Sequence, residues 1–333
     1  MDKILKFSIS ERKELFTETA AQMGLRPSAI EKDFWICWTL KELFSTPEIK
    51  EHIMFKGGTS LSKVFHLIER FSEDIDIILD WRILGITDDE AWQERSNNQQ
   101  QNFNDKMNAK AQEYLEKEFT PNLKKGVSEK INGSDFKLIC TEEQVVKFFY
   151  PRSIQDESYL KPEIHLEIGP VASWKPYHRY EIQSYASEKF KKLFDEPIVE
   201  VTAIDAERTF WEKATILHQE AHRTEKLPPI RYTRHYYDLF MMSKHPIREK
   251  ALSRLDLLND VVKFKTKFYY SARAKYDLAK KGTFRLIPPE KSIKYFEDDY
   301  AKMHVMIFGE YLPFDEILQG LQKLEDEINS QNS

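Results

Sequence analysis

HIMFKGGTSLSKVFHLIERFSEDIDIIL, residues 52–79, holds two apolar runs separated by a glycine pair and a helical period. The first run, Ile53 to Phe55, predicts a short strand that breaks at Gly57-Gly58. Paired glycines turn sharply and let the backbone approach a ligand, because neither carries a Cβ. Leu61, Val64, Phe65 and Ile68 then recur at helical spacing, predicting a helix with one face for a sheet. A helix starting at the turn would aim its unpaired N–H groups at an anion above it. Asp74-Ile75-Asp76-Ile77 alternates with period two. In a strand those two carboxylates share a face, with Cα atoms roughly 7 Å apart at a rise of about 3.3 Å per residue. Two oxygen donors so placed suit a hard cation such as Mg²⁺. Each element alone is common, as a turn or a solvated strand edge; in this order they describe a site for a nucleoside triphosphate.

The order hydrophobic-Gly-Gly, helix, Asp-hydrophobic-Asp resembles the nucleotidyltransferase fold of the polymerase β superfamily. FKGGTSLSKVFHLIERFSEDIDI is more closely similar to the AbiEii/AbiGii-type nucleotidyltransferase toxins of bacterial toxin–antitoxin systems, a group tied to abortive infection and phage defence. The resemblance implies an α/β (α+β) fold, a mixed-sheet core with N-terminal helices and a C-terminal helical domain. It also implies Mg²⁺ or Mn²⁺ as cofactor, an NTP as substrate, a tRNA 3′ end as RNA acceptor and an antitoxin protein as partner. On these motifs Asp74 and Asp76 are expected to hold the metal, and Lys56, Gly57, Gly58, Thr59, Ser60 and Ser72 to lie along the nucleotide.

Three later segments extend the resemblance. PEIHLEIG, residues 162–169, alternates Ile164, Leu166 and Ile168 with Glu163, His165 and Glu167. The family places a third carboxylate on such a strand to complete the metal site and act as general base, and Glu167 falls there as the implied third metal ligand, where aspartate is the more usual residue. AIDAERTFWEKATILHQ, residues 203–219, reads as a helix capped by Asp205, with Lys213 inside an apolar pattern. A buried ammonium needs a partner or a ligand; in the family this lysine contacts the triphosphate, with Arg208 nearby. RHYYDL, residues 234–239, resembles the last motif, implying roles for Arg234 and for Asp238 in positioning the lysine and nucleotide. His218 and His222 stand four apart, but Gln219 follows His218, so the HExxH pattern of zinc hydrolases is missing.

Composition sets the frame. The 333 residues are 41% hydrophobic and 32% charged, with a net charge of -5, so an RNA surface has to be local. One local candidate exists: residues 261–285 carry six lysines and two arginines against one aspartate. Tyrosines and phenylalanines interleave Lys263, Lys265, Lys267, Arg273, Lys275, Lys280 and Lys281, a pattern that fits phosphate pairing with base stacking and equally a solvated helix face. Cys37 and Cys140 show no metal spacing and read as reduced thiols. The opening MDKILKFSISERKEL has no secretory apolar run and no segment is long enough to span a bilayer, which predicts a soluble, cytoplasmic protein with no membrane partner.

The expected domains are a helical lead over 1–50, the nucleotidyltransferase core over 51–200 with a helical insertion near 88–130, and a helical domain over 201–333. In the lead, Ser28 with Glu31 matches a capping box, and Lys32 and Asp33 read as a solvated edge. Two other activities fit the same motifs: transfer to a protein hydroxyl, with Ser72 placed for self-modification, and a nucleotide-binding sensor or regulator without catalysis.

Overall fold

A computed structural model describes residues 1–132, 135–155, 161–224 and 228–330. The chain divides into two compact units. One comprises Met1–Val64, Phe71–Arg95 and Asn102–Ala203, the other Phe65–Arg70, Ser96–Gln101 and Ile204–Ser333.

The first unit is built on a mixed sheet of seven strands: β1 Ile53–Lys56, β2 Ile75–Leu79, β3 Lys137–Cys140, β4 Val145–Phe149, β5 Glu163–Gly169, β6 Tyr177–Gln183 and β7 Ile198–Ile204. Their order is β3-β4-β5-β2-β1-β7-β6. β2 lies at the centre, antiparallel to β1 and parallel to β5. Ile75, Ile77, Ile78 and Leu79 are buried, as a central strand requires. The strand expected over residues 162–169 forms as β5, whereas β6 and β7 were not anticipated.

The Pro27–Ser45 helix supplies much of the core. Trp35 stacks on Tyr150 at 5.4 Å and Trp38 on Phe148 at 6.0 Å between ring centroids, so its aromatic side covers the sheet beside β4. It starts two residues earlier than the capping-box reading, with Arg26 at the N-cap and Pro27 in its first turn. Glu31 is therefore inside the helix, where its buried carboxylate accepts the Ser153 N–H and hydroxyl and the Ile154 N–H. A capping box does form between Ser8 and Glu11, opening the Ile9–Met23 helix. Most of the polar 88–130 region is helical, in the segments Asp88–Trp92, Asn97–Tyr114, Leu115–Phe119 and Thr120–Ser128, with Met107, Ala111 and Leu115 buried along one side.

In the second unit the Ala206–Ala221 helix packs against Arg234–Ser243, Ile247–Leu252 and Leu255–Phe268, and Phe314–Ser330 lies on Arg234–Ser243. Gly320 makes that last contact possible, because a Cβ there would overlap the Phe240 ring. Among the described residues no helix is long and apolar enough to cross a membrane.

Candidate active site

The glycine turn and the second aspartate meet. Gly57 has φ +80°, a left-handed conformation that excludes most side chains. The Asp76 carboxylate fills the space beside it, so a Cβ on Gly57 would collide with that carboxylate. Lys56, Asp76 and Glu167 are consecutive partners across β1, β2 and β5. Neighbouring strands lie about 4.8 Å apart, so these side chains stand in one row on one face. Glu167 is exposed on that face.

Asp74 precedes β2 and keeps 36% side-chain exposure. Burial raises its pKa, with Glu73 and Asp76 adding to the rise and His165 and Lys32 opposing it. His165 Nδ1 is 3.8 Å from Asp74 and its Nε2 3.4 Å from Glu163, so it is a polar neighbour of the acids. No set of three or more His, Cys, Asp or Glu side chains that could hold a metal stands together among the described residues. The donors present still suit Mg²⁺: it takes oxygen ligands, is usually held by one or two carboxylates, and completes its shell with water and substrate phosphates.

The helix after the glycines is shorter than its apolar spacing suggests. It runs only Gly57–Lys63; Phe65 and Ile68 lie in an irregular segment, and His66 adopts φ +51°. Thr59 and Ser60 are buried and turn inward. The Thr59 hydroxyl donates to the Asp74 carbonyl and the Ser60 hydroxyl to the Gly57 carbonyl, so both protons serve the turn itself. Gly58 is buried in this helix, and Ser72 is half-buried before Asp74.

The second unit holds a buried charge cluster. Arg70 clasps Asp238 through Nε and Nη2 at 2.6 and 2.8 Å, and Lys213 Nζ reaches the same carboxylate at 2.8 Å. Burial would raise the Asp238 pKa; Arg70 and then Lys213 overcome it and hold the carboxyl well below its usual range. Burial pulls the Lys213 pKa down, resisted by Asp238 and aided by Arg70. His235 Nδ1 lies 3.3 Å from Lys213 Nζ and is kept neutral by burial and by that ammonium. Arg208 is buried against Glu212 at 3.2 Å, while Arg234 is exposed. Asp299 accepts the Arg231 and Thr233 N–H groups and the Thr233 hydroxyl, fixing the start of the RHYYDL helix.

Sequence reasoning missed Arg70, whose neighbours in sequence say nothing of a partner 168 positions away. It also misread Lys32 and Asp33, which are buried and ion-paired to Glu73 and Lys63 at 2.9 and 2.8 Å. Two adjacent charges in an otherwise apolar helix were the available signal. The basic stretch presents Lys263, Arg273, Lys275 and Lys280 to solvent with Tyr269 and Tyr270, 51% and 55% exposed. Lys265 and Lys267 are half-buried, the former donating to the Glu212 carbonyl; Lys281 is also half-buried.

The family model described as "Nucleotidyl transferase AbiEii toxin, Type IV TA system" matches residues 38–320. A search of curated proteins returned no match. Among solved structures the chain is similar to MenT4, a nucleotidyltransferase toxin from Mycobacterium tuberculosis H37Rv, at 15% identity and a TM-score of 0.42, over 96% of this chain and 99% of that one.

Proposed function

Because the chain belongs to the AbiEii nucleotidyltransferase toxin family of type IV toxin–antitoxin systems, with the NTP substrate and antitoxin partner this implies, we propose that it transfers a nucleoside monophosphate to the 3′ end of a tRNA in a Mg²⁺-dependent reaction that blocks translation. The observation that carries this reading is the Asp76 carboxylate lying against a left-handed Gly57. A side chain at 57 would displace the acid, so the turn and the acid are built for each other.

Asp74 and Asp76 would hold the cation, which Mn²⁺ can replace. When bound, such an ion would supply positive charge to offset the charge developing on the transferred group. Glu167, in register with Asp76, is assigned to the proton of the attacking hydroxyl. That oxygen bonds to the α-phosphorus as the bond to the β-phosphate bridging oxygen breaks, and pyrophosphate leaves. Lys56 and the turn lie along the phosphates. In the second unit Lys213, ion-paired to the Asp238 carboxylate that it shares with Arg70, is the ammonium we assign to the triphosphate, with Asp238 as its positioning partner. Arg208 and Arg234 are assigned supporting contacts to the nucleotide. The solvent-facing lysines and tyrosines between 263 and 281 are the surface assigned to RNA. An NTP and tRNA occur together in the cytoplasm, where we infer that it acts.

The test is to incubate the protein with Mg²⁺, each radiolabelled NTP in turn and total tRNA. Label on RNA is expected. Label on the protein alone, at Ser72 or elsewhere, or nucleotide bound without turnover, would contradict the proposal.

A further inference from the structure

The reaction scheme leaves Lys32 and Asp33 without a part. Both are buried, at 1% and 2% exposure, on the helix that covers the sheet. Lys32 Nζ is 2.9 Å from Glu73 Oε2 and donates to the Lys161 carbonyl at 3.0 Å. Asp33 Oδ1 is 2.8 Å from Lys63 Nζ, and its Oδ2 accepts the Tyr185 N–H. Lys63 also lies 3.7 Å from the centre of the Tyr185 ring. Glu73 immediately precedes Asp74, and Lys63 ends the helix that Gly57 begins.

Buried ion pairs are poor sources of stability, because desolvation offsets much of the attraction and apolar residues of similar volume commonly serve as well. What they add is a fixed register. Asp76 gains its place from the ladders on both sides of β2. Asp74 lies outside both ladders, in the irregular segment that joins Lys63 to the strand. It is held through the Thr59 hydroxyl on its carbonyl and through Glu73 beside it. The Asp33–Lys63 pair holds the far end of the helix carrying Thr59, and the Lys32–Glu73 pair holds the residue before Asp74. Both supports originate on neighbouring residues of one helix.

We propose that Lys32 and Asp33 are positioning residues for nucleotidyl transfer, two buried ion pairs that set where Asp74 stands beside Asp76 and Gly57. The proposal rests on the transfer reading above. Replacing one pair by apolar residues, Lys32→Met with Glu73→Leu, tests it. The folded double variant is expected to melt no lower than wild type and to lose about 10–100-fold in kcat, since a misplacement near 1 Å can cost about 10²-fold. KM for the NTP is expected within about threefold of wild type, the signature of an interaction that acts in the transition state. Amide hydrogen exchange should quicken over residues 71–76 and stay unchanged in β1. A kcat within about twofold of wild type, with unchanged exchange, would overturn the proposal. Should the double variant fail to fold, Glu73→Gln, which keeps shape and an oxygen facing Lys32 but removes its counter-charge, is expected to melt lower than wild type and carries the same kinetic and exchange expectations and the same refutation. If the wild-type protein transfers no nucleotide, the transfer reading fails by itself. Exchange then decides the clamp: quickening over 71–76 supports it, and unchanged exchange in a folded variant refutes it.

Discussion

Gly57 shows how a single residue constrains the chemistry. Gly57→Ala would place a methyl group where the Asp76 carboxylate lies and force a left-handed φ on alanine. That conformation alone costs about 1–2 kcal/mol, so a lower melting temperature is expected, together with loss of about 10²-fold or more in transfer rate from the displaced acid. Circular dichroism melts and single-turnover assays measure both. His218 offers a residue-scale test of pH dependence. Its Nε2 hydrogen bonds to the Lys275 carbonyl and its Nδ1 accepts the Arg285 N–H, so the native ring is neutral and both nitrogens are occupied. Burial lowers its pKa to about 4. The unfolded chain binds a proton near pH 6.5 and the folded one does not until about pH 4, so this contribution is present above pH 6.5 and is lost as pH falls toward 4. The loss is on the order of 2–3 kcal/mol. His218→Gln should therefore melt with a shallower decline between pH 7 and pH 5 than wild type; an equal decline would exclude His218 as a source. The Gly57 turn and the strand carrying Asp76 were readable in the sequence because turn chemistry and period-two spacing are local; Asp74, expected on that strand, lies just before it. Arg70, Lys32 and Asp33 were not, because their meaning lies in partners 168, 41 and 30 positions away.

Elements were legible where one rule governed them. The Pro27–Ser45 and Ala206–Ala221 helices and the strands β1, β2 and β5 follow their apolar periods. The glycine helix does not: Phe65 and Ile68 keep helical spacing, yet the chain leaves the helix after Lys63, and apolar residues bury themselves in an irregular segment just as well. β6 escaped notice because His178, Arg179 and Glu181 make it half-polar, with Ile182 its one buried residue. Packing of the Ala206–Ala221 and Arg234–Ser243 helices also yields a stability test. Asp238 is the shared counter-ion of Arg70 and Lys213, so Asp238→Asn leaves two buried cations short of charge. Removing one partner of a buried pair typically costs about 3–5 kcal/mol. Lys213→Met leaves the Arg70–Asp238 clasp in place and should cost less. Chemical denaturation of the two variants is expected to rank Asp238→Asn as the less stable, and the opposite ranking would show that Arg70 is satisfied elsewhere.

For the whole molecule, composition excluded a global electrostatic route to RNA and left a local one. With a net charge of -5, the proposed RNA binding would have to draw on patches such as the one near Lys263, Arg273, Lys275 and Lys280. Changing these four to glutamine should weaken tRNA binding and reduce the slope of log K against log salt by about 3, at about 0.7 per neutralised phosphate on a single strand. KM for the NTP should not move, and titrations at several salt concentrations give the slope. Family membership, matched over residues 38–320, accounts for nucleotidyl transfer. The most direct measurement is transfer of radiolabel from NTP to tRNA with Mg²⁺ by wild type and by Asp76→Asn side by side. The account predicts labelled tRNA with wild type and none above background with the variant, although both are folded. Equal labelling by the two would contradict it.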